Sequence, residues 1–161
     1  MRISRNLKIL SAVAFASAVF LVPTIALTQD KEAKAIATRQ GYMKLVLWEA
    51  GPLFAMAKGK MAYSAEAAKA HAAKLKTISQ YPVGGLFITG TSNADRPGKT
   101  RALPKIWEDM KGFDKAFTNW QAVVATLGDQ VGNGQQALAA AVGELGKSCG
   151  GCHKPHRAPK N

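Results

Sequence analysis

The chain has 161 residues, 47% of them hydrophobic in type and 20% charged, and its 22 basic against 10 acidic residues give a formal charge of +12. That length and composition suit one domain with a real core. The lysines are spread singly, without an Arg-aromatic cluster, which argues against a nucleic-acid binder and leaves an acidic protein partner, an anionic membrane surface or a simply well-solvated surface.

The chain opens with Arg2, Arg5 and Lys8, then an apolar run from Ile9 to Val22, then small residues around Ala26 and Thr28. This is the layout of a secretory signal peptide over residues 1–28, cut near residues 26–28, with the mature domain at 29–161. The apolar run covers about 14 residues where a spanning helix needs about 20, and Pro23 closes it, so no stable membrane span is expected. Cleavage would remove three basic residues and no acidic one, taking the formal charge from +12 to +9.

From Asp30 to Ala57, Ile36, Met43, Val46, Leu47, Ala50, Leu53, Phe54 and Ala57 recur at the three-and-four spacing of one helical face. Gly51-Pro52 falls inside this pattern and predicts a kink near residues 48–52. Ser64, with Glu66 two residues on, starts a second, alanine-rich helix that Tyr81-Pro82 stops. Its His71 is expected at the surface.

Residues 82–104 are rich in glycine and proline and lack periodicity, so they read as a long irregular crossover. After Pro104, the residues Ile106, Met110, Phe113, Phe117, Trp120, Val124 and Leu127 trace a third helical stripe that ends near Gly128. A "GNG" break at 132–134 precedes Leu138, Val142, Leu145, Cys149 and Cys152, which share one face of a fourth helix. No stretch alternates with period two long enough to argue a sheet. The expected fold is all-α, an antiparallel four-helix bundle.

The chemistry concentrates in "SCGGCHKPHR" at 148–157, which holds the only two cysteines. A structural zinc site would need a further ligand beyond Cys149, Cys152 and His153, and adjacent residues make poor tetrahedral neighbours. A thioredoxin-type disulfide needs a strand before it and a helix after it. C-x-x-C-H is instead the attachment sequence of c-type haem, with both thiols bound to the porphyrin as thioethers and the next histidine presented to the iron. Export fits this reading, because such haem is attached outside the cytoplasm.

A haem motif near the carboxyl end of a helical bundle, together with "ATRQGYMKL" at 37–45, "AMAKGKMAYSAEAA" at 55–68, "LPKIWEDMKGF" at 103–113 and "CGGCHKPHR" at 149–157, resembles the cytochrome c′ family, the class II c-type cytochromes. The resemblance implies one haem c held by Cys149 and Cys152 with His153 as axial ligand. It also implies haem-propionate contacts from Arg39 and Gln40, a side chain over the open face of the iron at Met43, and an arginine beside the proximal imidazole at Arg157. Arg101 matches a haem-edge position only loosely. Pro155 and His156 depart from the family, which usually carries an aromatic residue before that arginine. Pro155 would clash with the carbonyl of Gly151, so the helix is expected to loosen or end there, which puts the placement of Arg157 in question.

Met43 leaves two states open. A sulfur that reaches iron gives a six-coordinate, low-spin haem, as in the electron-carrying branch the sequence resembles. A sulfur that only packs gives a five-coordinate, high-spin haem with a crowded pocket for NO or CO. The reading taken forward is a periplasmic electron carrier, not an enzyme, with redox partner proteins of acidic surface; the alternative is a gas-binding haem protein, and the family implies a homodimer through the first two helices. A thiol oxidoreductase using the cysteines directly would be free of haem.

Overall fold

A computed structural model describes residues 25–160, so most of the expected signal peptide lies outside the described residues. The helices are α1 (Ile25–Ala57), α2 (Ala65–Ser79), the single turn α3 (Lys105–Glu108), α4 (Met110–Val131) and α5 (Gln135–His156). The four long ones form the bundle, and the only β pairing among the described residues is an isolated bridge between Ala102 and Arg157.

The apolar stripes predicted from spacing meet in one core. Leu53 and Met56 of α1, Ala72 and Leu75 of α2, Val124 and Leu127 of α4, and Leu138 and Leu145 of α5 are all buried there. Because Leu127 is 1% exposed, Leu127→Ala should cost about 2–5 kcal/mol, the sum of lost transfer energy and a cavity. Urea unfolding of the haem-loaded protein, with an unchanged slope and a lower midpoint, checks this.

The helix boundaries have local reasons, and the two that differ from expectation belong to the third expected helix. α1 runs unbroken through Pro52. The turn that loses a backbone hydrogen bond carries Trp48 and Leu47, the latter expected on the apolar face but turned to solvent one position past Val46; they are 74% and 66% exposed, so water can serve the Trp48 carbonyl that Pro52 leaves without a helical partner. The third expected helix is split at Asp109, whose backbone leaves the helical region while its carboxylate accepts from the Gly112 N–H at 2.9 Å. An aspartate offering this cap starts a new helix more favourably than it continues the old one. α4 then passes Gly128 to Val131, which is fully buried and completes the stripe.

α5 continues through Pro155 to His156. Proline is tolerable here because only the exposed Gly151 carbonyl loses its partner, and the Arg157 N–H still closes onto the His153 carbonyl at 2.9 Å. Arg157 itself leaves the helix in an extended conformation. The end of α5 is strapped to the crossover: Leu103 N–H donates to the His156 carbonyl at 3.0 Å and Ala158 N–H to the Arg101 carbonyl at 2.8 Å.

α2 starts as expected, the Ser64 hydroxyl accepting from Ala67 N–H at 3.2 Å. His71 is not a free surface residue. It is half-buried, with Nδ1 2.7 Å from Oε2 of the buried Glu49 on α1, so the two helices share a polar contact beside their apolar one. The crossover is irregular but ordered. It makes a 3-10 turn at Val83–Leu86, bends at Gly90 and Gly98 with φ of +79° and +72°, and carries an internal Ser92–Asp95 turn. Glycine is needed at those two bends because side chains with a Cβ are strained at positive φ.

Candidate haem site

A narrow apolar cleft of about 40 Å³ lies between α1, α4 and α5. α1 supplies Met43 and Val46, α4 supplies Phe117 and Trp120, and α5 supplies Cys149, Cys152 and His153. Spacing alone brings the α5 residues to one side: a separation of three keeps the cysteines on one helical face, and His153 follows directly. Met43 faces them from the opposing helix and is 37% exposed.

Both cysteines are free thiols, half-buried. Burial pushes both thiols up from the ordinary range, and the neighbouring Cys149 adds to the effect at Cys152. The His153 imidazole is pushed down to about 4, first by burial and then by the positive charges of Arg157 and Arg101. It therefore holds a lone pair at neutral pH, as an iron ligand must. The Arg157 guanidinium is in turn lowered by burial and by Arg101. Among the described residues neither arginine has a carboxylate within ion-pairing distance.

The other expected site residues are engaged elsewhere. Gln40 is exposed and donates through Nε2 to the Lys99 carbonyl at 2.8 Å. Arg101 is exposed and reaches the Ala158 carbonyl at 3.4 Å. Arg39 is buried, and its guanidinium faces the crossover: Nη1 donates to the Leu86 carbonyl and the Thr91 hydroxyl, and Nη2 to the Thr91 carbonyl and the Thr100 hydroxyl. Phe87 of the crossover packs against Arg39, Trp107 and Phe113. His156 takes the position of the family's aromatic residue. It is buried, edge-on to Phe113 at 5.4 Å, with Nδ1 2.9 Å from the Cys152 carbonyl.

The apolar stripe of the third expected helix places Phe117 and Trp120 among packing residues. They do pack, and they also form one wall of the cleft, a distinction that spacing could not make because cleft and core share a helical face.

The donor set fits haem c. Two thiols sit one helical turn apart, an imidazole is kept neutral, and all three share an otherwise apolar slot that also holds a thioether. It does not fit zinc, since among the described residues no three His, Cys, Asp or Glu side chains are placed to hold a metal ion.

Fold and site together define a c-type haem protein built on a four-helix bundle. The family model described as cytochrome c′ matches residues 34–157, and the chain belongs to that family, whose cofactor is haem c. It is 42% identical over 148 residues to cytochrome c′ of Cereibacter sphaeroides, covering 92% of this chain and 98% of the relative. The solved structure of cytochrome c′ from Rhodobacter spheriodes is similar with a TM-score of 0.77 and 43% identity, over 80% of this chain and 98% of that one. A nitric oxide complex of a mutant cytochrome c prime from Alcaligenes xylosoxidans is similar with a TM-score of 0.67 and 30% identity, over 80% of this chain and 97% of that one.

Proposed function

We propose that the protein is an exported, periplasmic electron carrier and not an enzyme, with haem c bound through Cys149 and Cys152, His153 as proximal ligand and Met43 as sixth ligand. The observation that carries this reading is the position of Met43, whose thioether lines the same small cleft as His153 from the opposing helix.

Haem c supplies a one-electron ferric/ferrous couple. The chain holds and tunes it. Val46, Phe117 and Trp120 exclude water from the cleft, and a site of low polarity disfavours the extra positive charge of the ferric state. Arg101 and Arg157, whose charges are felt at His153, act in the same direction. At formal charge +9 after processing, the surface steers the protein towards acidic redox partners. Among the described residues no helix is long and apolar enough to cross a membrane. A homodimer through α1 and α2 would cover Leu45, Leu47 and Trp48, which α1 leaves exposed.

A second reading is supported by the nitric oxide complex of the Alcaligenes relative. In that case Met43 packs over the iron without binding it, and the protein takes up NO or CO. Optical spectra of the purified protein in both oxidation states, before and after CO, separate the two. Low-spin bands indifferent to CO support the carrier; high-spin bands that shift with CO replace it with the gas-binding reading.

A further inference from the structure

We propose that His156 is a positioning residue: its Nδ1–H bond to the Cys152 carbonyl replaces the hold that Pro155 removes, and so fixes the turn of α5 that carries Cys152 and His153. The inference rests on the reading of the cleft as the haem site.

The sequence makes this turn the weakest of α5. Gly150 and Gly151 stand between the cysteines, and glycine is among the poorest helix formers. Pro155 then supplies no N–H to the Gly151 carbonyl one turn back, and its ring crowds that carbonyl. Left to the backbone alone, residues 150–155 would fray. Yet the helix runs on to His156, and the Arg157 N–H still closes onto the His153 carbonyl at 2.9 Å.

The hold comes from the side chain that follows the proline. His156 is 7% exposed, and its Nδ1 lies 2.9 Å from the Cys152 carbonyl oxygen. A carbonyl only accepts, so Nδ1 carries the proton and donates. The ring is kept from swinging away by Phe113 of α4, which is itself buried and meets it edge-on, 5.4 Å between centroids at 86°. The main chain at His156 is fixed as well. Its carbonyl accepts from Leu103 N–H at 3.0 Å, Arg157 bridges to Ala102, and Ala158 N–H donates to the Arg101 carbonyl at 2.8 Å. His156 is thus anchored to α4 and to the end of the crossover, and from that anchor it grips one particular peptide. The Cys152 carbonyl belongs to the planar unit that joins Cys152 to His153, so holding it sets the direction of the thiol and the imidazole together. A phenyl ring would fill the same space and keep the contact with Phe113, but it has no donor.

The test compares His156→Phe, Pro155→Ala and the double variant, all haem-loaded. In His156→Phe, amide exchange between residues 152 and 157 accelerates about threefold to tenfold, the range for one lost hydrogen bond, while exchange in α2 keeps the parent rate. The ferric electron paramagnetic resonance spectrum, which follows the orientation of the axial imidazole, shifts or broadens in the same variant at equal haem content. Pro155→Ala restores the N–H that the Gly151 carbonyl lacks. Exchange in the double variant therefore lies within about twofold of Pro155→Ala alone, and its spectrum returns to the parent form. Unchanged exchange or an unchanged spectrum in His156→Phe overturns the proposal, as does an equal loss with and without Pro155. Should His156→Phe fail to fold, the double variant must still fold; its failure also overturns the proposal. If the parent carries no covalent haem by mass, the haem reading fails by itself, and exchange in that chain still decides whether His156 holds the turn.

Discussion

The Cys149→Ser, Cys152→Ser double variant, exported from a host that matures c-type cytochromes, is recovered without covalently bound haem, and denaturing mass spectrometry shows the bare chain. Each thiol lines the cleft on the same face of α5, so each can meet one vinyl group of a porphyrin seated there. A hydroxyl cannot make the thioether. The single variants should keep one bond and remain coloured under denaturing conditions, at reduced yield. The double variant should also lose thermal stability, because the porphyrin's apolar contacts in the cleft and its axial ligation are made only in the folded state. Haem retained by the double variant after denaturation would mean attachment elsewhere and would sink the site. A parent chain of bare mass with reactive thiols would favour direct cysteine redox chemistry instead. Burial argues against that outcome, since it raises both thiols away from the thiolate form that such chemistry uses.

The parts of this molecule that follow a period were legible in its sequence, and the parts that depend on meetings across the fold were not. Leu138, Val142, Leu145 and Cys149 announce α5 and its inner face, and the structure packs the first three into the core with Cys149 against them. The break at Asp109 went unseen because a cap is a contest between one side chain and the next turn's backbone, and an apolar stripe that continues across the break masks it. An alanine-rich stretch suggests exposure for His71, because its partner Glu49 lies 22 positions away on another helix. The crossover shows the same limit. Its composition marks a loop, but what orders it is Arg39, reaching acceptors 47 to 61 positions distant. Two of those acceptors are carbonyls, which any residue type supplies. A pattern of side chains cannot signal them, and resemblance pointed Arg39 towards a haem carboxylate.

Met43→Ala is the variant whose effect on the iron should be largest for the least effect on the fold. Met43 is 37% exposed and borders the cleft without belonging to the buried core, so its truncation should cost no more than about 1 kcal/mol in stability. On the chemistry the same change is severe. Alanine offers no sulfur, and no other described cleft residue on the α1 or α4 side carries a group that binds iron: Val46 and Phe117 are hydrocarbon, and the Trp120 indole is a donor only. If Met43 is the sixth ligand, the variant turns from low to high spin, binds CO that the parent refuses, and changes its potential because a thioether no longer favours the ferrous state. CO affinity should rise at least about tenfold, equivalent to about 1.4 kcal/mol. If Met43 only packs, the parent is high-spin already, and the shorter side chain speeds CO entry with no change in spin. A low-spin variant would defeat both assignments, because it requires a sixth ligand from outside the cleft. The one substitution thus decides between a carrier whose iron is closed and a gas binder whose iron is screened.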